Sequence, residues 1–292
     1  MNGILLIDKP SSWTSMDVCA KLRGAFHEKR VGHSGTLDPM ATGLLVVFLG
    51  RATRAVEFAE ADEKTYEATL RLGVVTDTQD TTGTVLETRA AQITETELDA
   101  VLTEFRGEIE QIPPMYSAIK VEGTPLYKLA RKGGEVERKP RKITIHELER
   151  HGGIEGGEVR LRVRCSKGTY IRTLCHDIGA ALGCGGAMSA LRRTHAGPFD
   201  LSAAHTLAEA VAAAEQGRAE DVLLPLDTLF ADARPVKLSP EQEKAVRNGG
   251  DYTCRLREGR YRLYAQNREF LALAELSAGK MRICKSFFAV EQ

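Results

Sequence analysis

Residues 158–165, with the sequence EVRLRVRC, alternate strictly between apolar and charged side chains. Successive side chains of an extended chain point to opposite faces, so the four apolar residues share one face and the charged residues share the other. This period of two predicts a strand with one buried and one solvated face. Residues 64–72 alternate in the same way, and the continuously apolar run at 44–49 predicts a strand buried on both faces.

Predicted helices lie among these strands without a regular strand–helix–strand repeat. Helices are expected at residues 16–26 with Ser15 as the N-cap, and at 51–60, 95–105, 126–131, 169–182 and 203–215. Further strands are expected at 3–8, 117–121, 143–148 and 188–194, and the glycine pairs at 152–153 and 156–157 mark a hairpin loop. The mixture indicates an α+β fold around a mixed, mostly antiparallel sheet.

The length allows a second, smaller unit. With 292 residues and 42% hydrophobic content, the chain can bury a full core and still build another domain. The stretch 230–240 contains two prolines and is the predicted boundary. Short strand-like runs follow it at 252–256, 261–265, 270–276 and 281–287. We therefore expect domains at residues 1–233 and 234–292, the second of them small and β-rich.

Residues 31–43, VGHSGTLDPMATG, lie between a predicted helix and a predicted strand. Glycines permit backbone angles closed to other residues, and a proline fixes φ and removes a donor, so a tight loop is expected over this whole segment. Asp38 is its only acid, and Pro39 biases Asp38 towards an extended backbone. The residues alone leave two interpretations open, a reactive carboxylate on a shaped loop or an Asp-Pro turn.

A second stretch, KGTYIR at residues 167–172, follows the alternating run. If the extended backbone continues past Gly168, Tyr170 and Arg172 point the same way, and could serve a flat base and a carboxylate. A rim aromatic and a surface salt bridge are the alternative. On the residues alone, Tyr66 would be a core tyrosine at the start of its strand, and His33 a loop histidine bonded to the backbone.

Charge is distributed unevenly along a chain whose formal net charge is zero. Residues 60–104 hold three basic and eleven acidic side chains, whereas 158–193 hold seven and two, and 237–285 hold eleven and six. The last two segments could meet an RNA phosphate backbone, and the first would avoid it. Solvated faces without a partner are the alternative interpretation.

Several other classes of protein are disfavoured by what the sequence lacks. No apolar run approaches the roughly 20 residues of a membrane span, and the first residues do not form a signal peptide, so a cytoplasmic location is expected. The six cysteines show no CxxC or zinc spacing, and free buried thiols are expected. Without a Gly-rich phosphate loop or dinucleotide fingerprint, we expect no metal and no cofactor.

Eight motifs stand in the order that is typical of one enzyme family. They are LLIDKP from Leu5, GHSGTLDPMATGLL from Gly32, KTYEATLRLG from Lys64, TDTQDTTG from Thr76, QIPPMYSAIK from Gln111, GTPLYKLAR from Gly123, KGTYIRTLCHDIG from Lys167 and LRRTHAGPF from Leu191. On these motifs the chain resembles the bacterial tRNA pseudouridine synthases that modify uridine 55 in the T arm. Ser34, where many relatives carry threonine, is a small departure that keeps the hydroxyl.

The resemblance implies a pseudouridine-synthase-like catalytic domain, followed by a PUA-like RNA-binding domain at the C-terminus. It implies isomerisation of uridine to pseudouridine in the T arm of tRNA, by base flipping and an aspartate nucleophile. The expected partner is tRNA, with no obligate protein partner, no membrane and no cofactor. Whether the nucleophile attacks ribose C1′ or the uracil ring stays open, as do the range of tRNAs, the oligomeric state and a tRNA-folding role.

Site residues are carried over by their match to the motifs. Asp38 matches the nucleophile, and Arg172 matches the arginine that pairs with it, lowers its pKa and keeps it ionised. Tyr66 matches a residue that stacks on the flipped uracil and could also act on the C5 proton. Tyr170 and Leu191 match other pocket positions, and His33 matches a residue that helps displace the base.

Three alternatives were weighed against this function. A component of a guide-RNA particle is disfavoured because the N-terminus has no basic extension. An RNA-binding or RNA-folding factor without catalysis is disfavoured because Asp38, Arg172 and Tyr66 are all present. A hydrolytic glycosidase usually needs two carboxylates flanking the bond, and neither pocket stretch shows a second acid.

Overall fold

The computed structural model describes residues 1–60, 63–117, 119–121, 123–130, 133–134 and 136–289. Its strands are β1 (Gly3–Lys9), β2 (Val31–Ser34), β3 (Thr42–Leu49), β4 (Lys64–Leu72), β5 (Val74–Thr76), β6 (Val85–Thr88), β7 (Gly107–Gln111), β8 (Lys120–Val121), β9 (Thr124–Pro125), β10 (Arg141–Glu155), β11 (Glu158–Cys165), β12 (Gly186–Ala196), β13 (Phe199–Asp200), β14 (His205–Thr206), β15 (Leu223–Leu224), β16 (Arg234–Lys237), β17 (Tyr252–Thr253), β18 (Gly259–Tyr264), β19 (Phe270–Ser277) and β20 (Lys280–Ser286).

Seven α-helices accompany these strands in the described residues. They are α1 (Ser15–Ala25), α2 (Val56–Glu60), α3 (Glu95–Glu104), α4 (Leu126–Ala130), α5 (Ile171–Ala181), α6 (Leu207–Glu215) and α7 (Pro240–Arg247). Short 3₁₀ turns lie at Gly50–Ala55, Leu201–Ala203, Ala219–Asp221 and Leu226–Phe230.

The larger sheet has 11 strands, with the main path β14-β1-β3-β12-β4-β11-β10-β7. The β1–β14 and β3–β12 pairs are parallel, and the other pairs of this path are antiparallel. A separate five-stranded sheet, in the order β16-β18-β19-β20-β17, lies towards the C-terminus. The predicted α+β fold with a mixed, mostly antiparallel sheet and a sheet-rich, PUA-like C-terminal part is confirmed. The boundary at residues 233/234 stays a prediction.

Apolar side chains cover both faces of the central strands β1 and β3. On one face, Leu5 and Val47 belong to a core cluster that includes residues of α1, α3, α5 and α6. On the other face, Ile4 and Phe48 belong to a second cluster that includes Phe230, Leu273 of β19, and Phe287, which directly follows β20. Aromatic pairs with centroids 4.5–7 Å apart contribute beyond their buried area, and the Phe230–Phe287 separation is 5.8 Å. The small sheet therefore packs against the back of the large one.

The segment 31–43 is less irregular than predicted. Val31–Ser34 forms β2, which pairs with β3, and β3 itself begins at Thr42, so the loop proper spans residues 35–41. The prediction of a loop over the whole segment was wrong at both ends. Gly35 and Gly43, with φ of +71° and +94°, are where the chain leaves and re-enters the sheet.

The start of α1 also differs from the prediction. Thr14, rather than Ser15, is the N-cap: its hydroxyl accepts a hydrogen bond from the Asp17 N–H at 3.0 Å, and the Asp17 carboxylate accepts one from the Thr14 N–H at 3.0 Å. Ser15 is buried, and its hydroxyl accepts from the Leu37 N–H at 2.9 Å and donates to the Leu37 carbonyl at 3.2 Å. The helix start thereby holds the loop that carries Asp38.

Other boundaries shift for local reasons. The helix expected at 169–182 begins at Ile171, the one expected at 51–60 starts as a 3₁₀ turn, and the one expected at 203–215 begins at Leu207. In the hairpin, the turn lies at Gly156 and Gly157, whereas the glycines at 152–153 lie inside β10. The strand expected at 117–121 is limited to Lys120–Val121, and both Ala118 and Arg131 lie outside the described residues.

Candidate active site

The loop of residues 35–41 is fastened from inside the protein by Lys9. The Lys9 side chain is buried, and its ammonium donates to the carbonyls of Pro10 at 2.9 Å, Trp13 at 2.6 Å and Pro39 at 3.3 Å. Burial lowers the pKa of Lys9 to about 8, while nearby Asp38 opposes that shift. The Lys9 ammonium has three N–H donors and three carbonyl acceptors, so it links the chain that follows β1 to the loop of residues 35–41.

Arg193 fixes the other side of the same loop. It is buried, and it donates from Nε to the Leu44 carbonyl at 2.7 Å and from Nη2 to the Gly35 carbonyl at 3.0 Å. A Cβ at Gly43 would lie 2.3 Å from the Arg193 carbonyl oxygen, so no side chain fits there. Glycine at this position allows β3 to approach β12 closely enough for Arg193 to reach the loop.

Asp38 is joined to Arg172 by two parallel contacts. Arg172 Nε lies 2.9 Å from Asp38 Oδ2, and Arg172 Nη2 lies 3.3 Å from Asp38 Oδ1. This two-pronged geometry fixes the orientation of the carboxylate and also stabilises its negative charge. The Asp38 side chain remains 34% exposed, whereas Arg172 is only 6% exposed. The Asp38 carboxylate is therefore bound by a buried cation on one side and remains accessible to solvent on the other.

The guanidinium of Arg172 contacts three other residues besides Asp38. Besides the two bonds to Asp38, Nη2 donates to the Tyr116 carbonyl at 2.8 Å, and Nη1 donates to the Thr78 carbonyl at 3.1 Å and faces Asp80 Oδ2 at 3.5 Å. Each of the three guanidinium nitrogens therefore contacts at least one acceptor oxygen. One arginine ties together four segments of the chain that are distant in sequence.

Asp80 supplies a second carboxylate that the sequence analysis did not find. It is 6% exposed, and its Oδ1 accepts from the Thr78 hydroxyl at 2.9 Å, the Thr82 N–H at 3.0 Å and the Thr82 hydroxyl. The two stretches 31–43 and 167–172 hold no second acid, as predicted, and Asp80 comes instead from a third segment, TDTQDTTG at residues 76–83. Its oxygens are already engaged by the protein, so Asp38 is the carboxylate that a substrate can reach.

The pKa of Asp38 departs from the expected direction. Burial raises it above its ordinary value, the charge of Arg172 opposes the rise, and Asp80 adds to it. The expectation that Arg172 lowers the pKa named a real contribution but missed the larger one. The carboxylate is consequently more basic than an exposed aspartate.

Tyr66 and Leu191 lie on neighbouring strands of the sheet. Tyr66 on β4 is the register partner of Arg193 on β12, and Leu191 is two residues before Arg193. Both belong to the same apolar cluster as Leu37 of the loop, and both are buried. Burial raises the pKa of Tyr66, with the nearby Arg193 guanidinium opposing and Asp38 contributing at longer range. The structure thus brings these two predicted residues to the base of the Asp38 loop.

Tyr170 reaches the site by a different route from the one predicted. It is the N-cap of α5, in an extended conformation, while Arg172 is already helical, so the two do not share a strand face. Gly168, with φ of +81°, turns the chain out of the strand before either residue. Tyr170 still lies within electrostatic reach of Arg172 and Asp38, and burial raises its pKa.

His33 lies on β2, opposite Val47 of β3, and is partly buried. Its pKa is lowered by burial and by the charge of Arg193, so the neutral ring is favoured. The Nδ1 atom is buried and has no hydrogen-bond partner among the described residues. The alternative of a histidine bonded to the backbone through this atom is therefore not what the structure shows.

Three residues of the site were seen in the sequence but given no role, namely Lys9, Asp80 and Arg193. Lys9 directly follows the predicted strand at 3–8, and Arg193 lies inside the predicted strand at 188–194. A charged residue in such a place was the available signal. Asp80 lies in a polar loop and carries no comparable signal. Among the described residues, no cluster of His, Cys, Asp or Glu could hold a metal ion. No described helix is long and apolar enough to cross a membrane.

All six cysteines are free thiols, as predicted. Four are buried, but Cys254 is partly exposed and Cys284 is exposed, so the expectation of burial was wrong for these two. Both belong to the C-terminal sheet region, away from the Asp38 loop.

Comparison with known proteins matches this geometry to a family. The model of the TruB family pseudouridylate synthase N-terminal domain matches residues 23–171, and that of the tRNA pseudouridylate synthase B C-terminal domain matches residues 172–231. Together they cover more than half of the chain. The chain belongs to the TruB family of pseudouridylate synthases.

Curated TruB relatives support the assignment over nearly the full length. A protein of Azoarcus sp. (strain BH72) named tRNA pseudouridine synthase B is 45% identical over 287 residues, which are 97% of this chain and 93% of the relative. One of Pseudomonas fluorescens with the same name is 44% identical, over 95% of this chain and 92% of the relative.

Solved structures extend the likeness. A chain of a Cbf5-Nop10-Gar1 complex is 28% identical with a TM-score of 0.75, covering 99% of this chain and 85% of that chain. A chain of an H/ACA RNP bound to a substrate RNA containing 2′-deoxyuridine is 26% identical with a TM-score of 0.74, covering 99% and 86%. The chain is accordingly a TruB-family enzyme that forms pseudouridine.

Proposed function

We propose that this enzyme isomerises uridine 55 in the T arm of tRNA, with Asp38 as the nucleophile. The observation that carries the proposal is the partly exposed Asp38 carboxylate, held by two contacts to a buried Arg172. The names of the curated relatives support tRNA as the substrate, and the motif resemblance supports the T arm. A cytoplasmic location follows from a tRNA substrate.

Asp38 is the group that would bond to the substrate. Its carboxylate bonds to either ribose C1′ or the uracil ring, and the N1–C1′ bond breaks. The uracil turns so that C5 bonds to C1′, and the bond between Asp38 and the substrate breaks again. C5 then gives up its proton and N1 ends with one, so the reaction is an isomerisation without loss of atoms. Arg172 keeps the attacking oxygen aimed outwards and favours its ionised form.

The buried aromatic residues would receive the base. Extruding a stacked uridine from folded RNA costs a few kcal/mol, and stacking on an aromatic ring contributes about 1–3 kcal/mol per base. Tyr66 is buried on β4, and the charge of Asp38 contributes to its raised pKa, so we propose that its ring stacks on the uracil and that its hydroxyl could take the C5 proton. Tyr170 and Leu191 would line the pocket, and the neutral ring of His33 would help to displace the base from the RNA.

The basic C-terminal part would meet the rest of the RNA. Residues 237–285 hold eleven basic and six acidic side chains, and they build most of the five-stranded sheet. We propose that residues 234–292 form a PUA-like domain that contacts phosphates of tRNA, since such contacts are electrostatic and independent of sequence.

A guide-RNA-dependent enzyme is the second candidate, favoured by the similarity to chains solved in Cbf5 and H/ACA complexes. The decisive experiment incubates the isolated protein with an unmodified tRNA transcript and maps pseudouridine. Formation at position 55 by the protein alone supports the proposal. Formation only in the presence of guide RNA and partner proteins would favour the second candidate.

Tyr66→Phe and Tyr66→Leu should separate the two roles of Tyr66. Tyr66→Phe keeps the stacking ring, whereas Tyr66→Leu loses it, so Tyr66→Leu should be severely impaired, by a factor on the order of 100 or more, from lost stacking of about 1–3 kcal/mol and lost proton transfer. Single-turnover tritium release from [5-³H]uridine in T-arm RNA measures the rate of both variants, and circular dichroism checks that each is folded. A Tyr66→Leu enzyme that is folded and fully active would contradict the assignment.

The rate should fall on the acid side with the titration of Asp38. The nucleophile acts in its ionised form, and burial raises its pKa, so activity should be lost as the pH falls through a value above the roughly 3.9 of a free aspartate. Above that value, this group imposes no further dependence. Single-turnover rates at saturating enzyme between pH 4 and 8 measure it, and a profile with no acid limb above the free-aspartate value would contradict the raised pKa.

A further inference from the structure

Gln111 is the last residue of β7, and both the nitrogen and the oxygen of its side-chain amide form hydrogen bonds with the backbone of Tyr170. Its Nε2 donates to the Tyr170 carbonyl at 3.0 Å, and its Oε1 accepts from the Tyr170 N–H at 2.8 Å. The side chain is buried, with the residue 2% exposed. Two hydrogen bonds from one rigid amide to one residue fix both the position and the rotation of that residue's backbone.

This pair of hydrogen bonds, called the Gln111 clamp below, holds the residue that directly precedes α5. Tyr170 is the N-cap of α5, and its own side chain makes no capping hydrogen bond to the helix. Its carbonyl also accepts the first hydrogen bond of the helix, from the Leu174 N–H at 3.0 Å. The first turn of a helix takes its direction from the N-cap residue, and Arg172 lies in that first turn.

Residues 111–116, which run on from the end of β7, contact the start of α5 at two points. Gln111 contacts the Tyr170 backbone, and the Tyr116 carbonyl accepts from Arg172 Nη2 at 2.8 Å. The segment between them therefore contacts the start of α5 at both of its ends. A displacement of the N-cap would move the guanidinium relative to Asp38, which sits on a separately anchored loop.

We propose that Gln111 is a positioning residue, which clamps the Tyr170 backbone so that α5 presents Arg172 to Asp38 in the two-pronged geometry. The inference rests on the proposed function, because it assigns to Gln111 a part in placing that same pair. Gln111 itself contacts neither of the two charged groups in the structure.

Gln111→Glu provides a sharp test, because glutamic acid has nearly the same shape as glutamine. When ionised, it can still accept from the Tyr170 N–H, but its second oxygen faces the Tyr170 carbonyl without a proton between them. When protonated, its O–H can donate to that carbonyl and the two-point clamp is restored. Arg141 is the register partner of Gln111 on β10, and the charges of Arg141, Arg172 and Asp38 act on the neighbouring Tyr170. The cations favour the ionised form, and burial opposes it.

The expected result is a pH-dependent rescue. At high pH, the single-turnover rate of Gln111→Glu should be lower than that of the wild type by a factor on the order of 10–100, since misplacement by about 1 Å can cost that much. The ratio of the two rates should rise as the pH falls through the pKa of the introduced carboxyl. Gln111→Leu, which cannot form the clamp, should be low at every pH, with RNA binding changed by less than about twofold in both variants.

Gln216→Glu is the matched control. Gln216 is the exposed C-cap of α6, and its side-chain oxygen accepts from Arg218 Nη2 at 2.7 Å. This change adds the same charge outside residues 234–292 and outside the Asp38 site, and it should leave the rate and its pH profile as in the wild type. Circular dichroism and thermal unfolding at each pH distinguish misplacement from loss of fold.

Two results would overturn the inference while leaving the proposed function intact. The first is a folded Gln111→Leu enzyme with the wild-type rate. The second is a Gln111→Glu rate that stays in constant ratio to the wild type across the pH range. If instead the wild-type protein makes no pseudouridine in tRNA, the proposed function fails. Should Gln111→Glu unfold at high pH, the rate of Gln111→Leu decides.

Discussion

Asp38→Asn is expected to abolish pseudouridine formation, with a loss on the order of 10⁴-fold or more, while binding of T-arm RNA is retained. The amide has the volume of the carboxylate but cannot act as an anionic nucleophile. Arg172 keeps its contacts to Asp80 and to the carbonyls of Thr78 and Tyr116, so the fold should survive. Tritium release measures the chemistry, and filter binding with labelled RNA measures the affinity.

Asp221→Asn serves as the control for this change. Asp221 also pairs with an arginine, Arg218 at 3.1 Å, but both side chains are well exposed and far from the loop of residues 35–41. Its replacement should leave turnover unaltered. Turnover by Asp38→Asn at more than a trace of the wild-type rate would rule out Asp38 as the nucleophile.

Arg172→Met is expected to lose both activity and stability. Removing the guanidinium leaves the buried carboxylate of Asp80 without its cationic partner. A buried charge left unpaired in this way typically lowers the free energy of unfolding by about 3–5 kcal/mol. The orientation of Asp38 is lost as well, so the rate should fall on the order of 10³-fold or more even in the folded fraction. Urea unfolding and single-turnover tritium release measure the two losses separately.

A second replacement tests the reason for the instability. Combining Arg172→Met with Asp80→Asn removes the stranded charge, so stability should recover in part while activity does not. Arg218→Met, which breaks an exposed pair, should change the unfolding free energy little. If the double variant is no more stable than Arg172→Met alone, Asp80 is not the stranded charge and the electrostatic account of this network is wrong.

Local patterns in the sequence were sufficient for two central strands of the large sheet, β4 and β11. The alternation of residues 158–165 predicted β11 with its correct bounds, and the run at 64–72 predicted β4, because the period of two reports directly which face is buried. Helix starts were less certain. Thr14 and Ser15 are both good N-caps, and only the loop around Leu37, which engages Ser15, decides between them.

The pairing of Asp38 with Arg172 could not come from spacing. The two residues are 134 positions apart, and it was the resemblance of their motifs to one family that placed them together. The shared face of Tyr170 and Arg172 was predicted only if the backbone stays extended past Gly168, and this condition is not met, because Gly168 turns the chain and α5 begins at Ile171. Arg172 reaches Asp38 from a helix, not from a strand face.

The sequence by itself determined the family, the fold class and the identity of the acid on the exposed loop, since these depend on local patterns and motifs. Only the tertiary structure decided that Asp80 shares the same guanidinium, that Gln111 holds the start of α5, and that burial raises the pKa of Asp38. Each of these depends on segments that meet from distant parts of the chain. Burial and electrostatics are set by that meeting, and no local pattern encodes them.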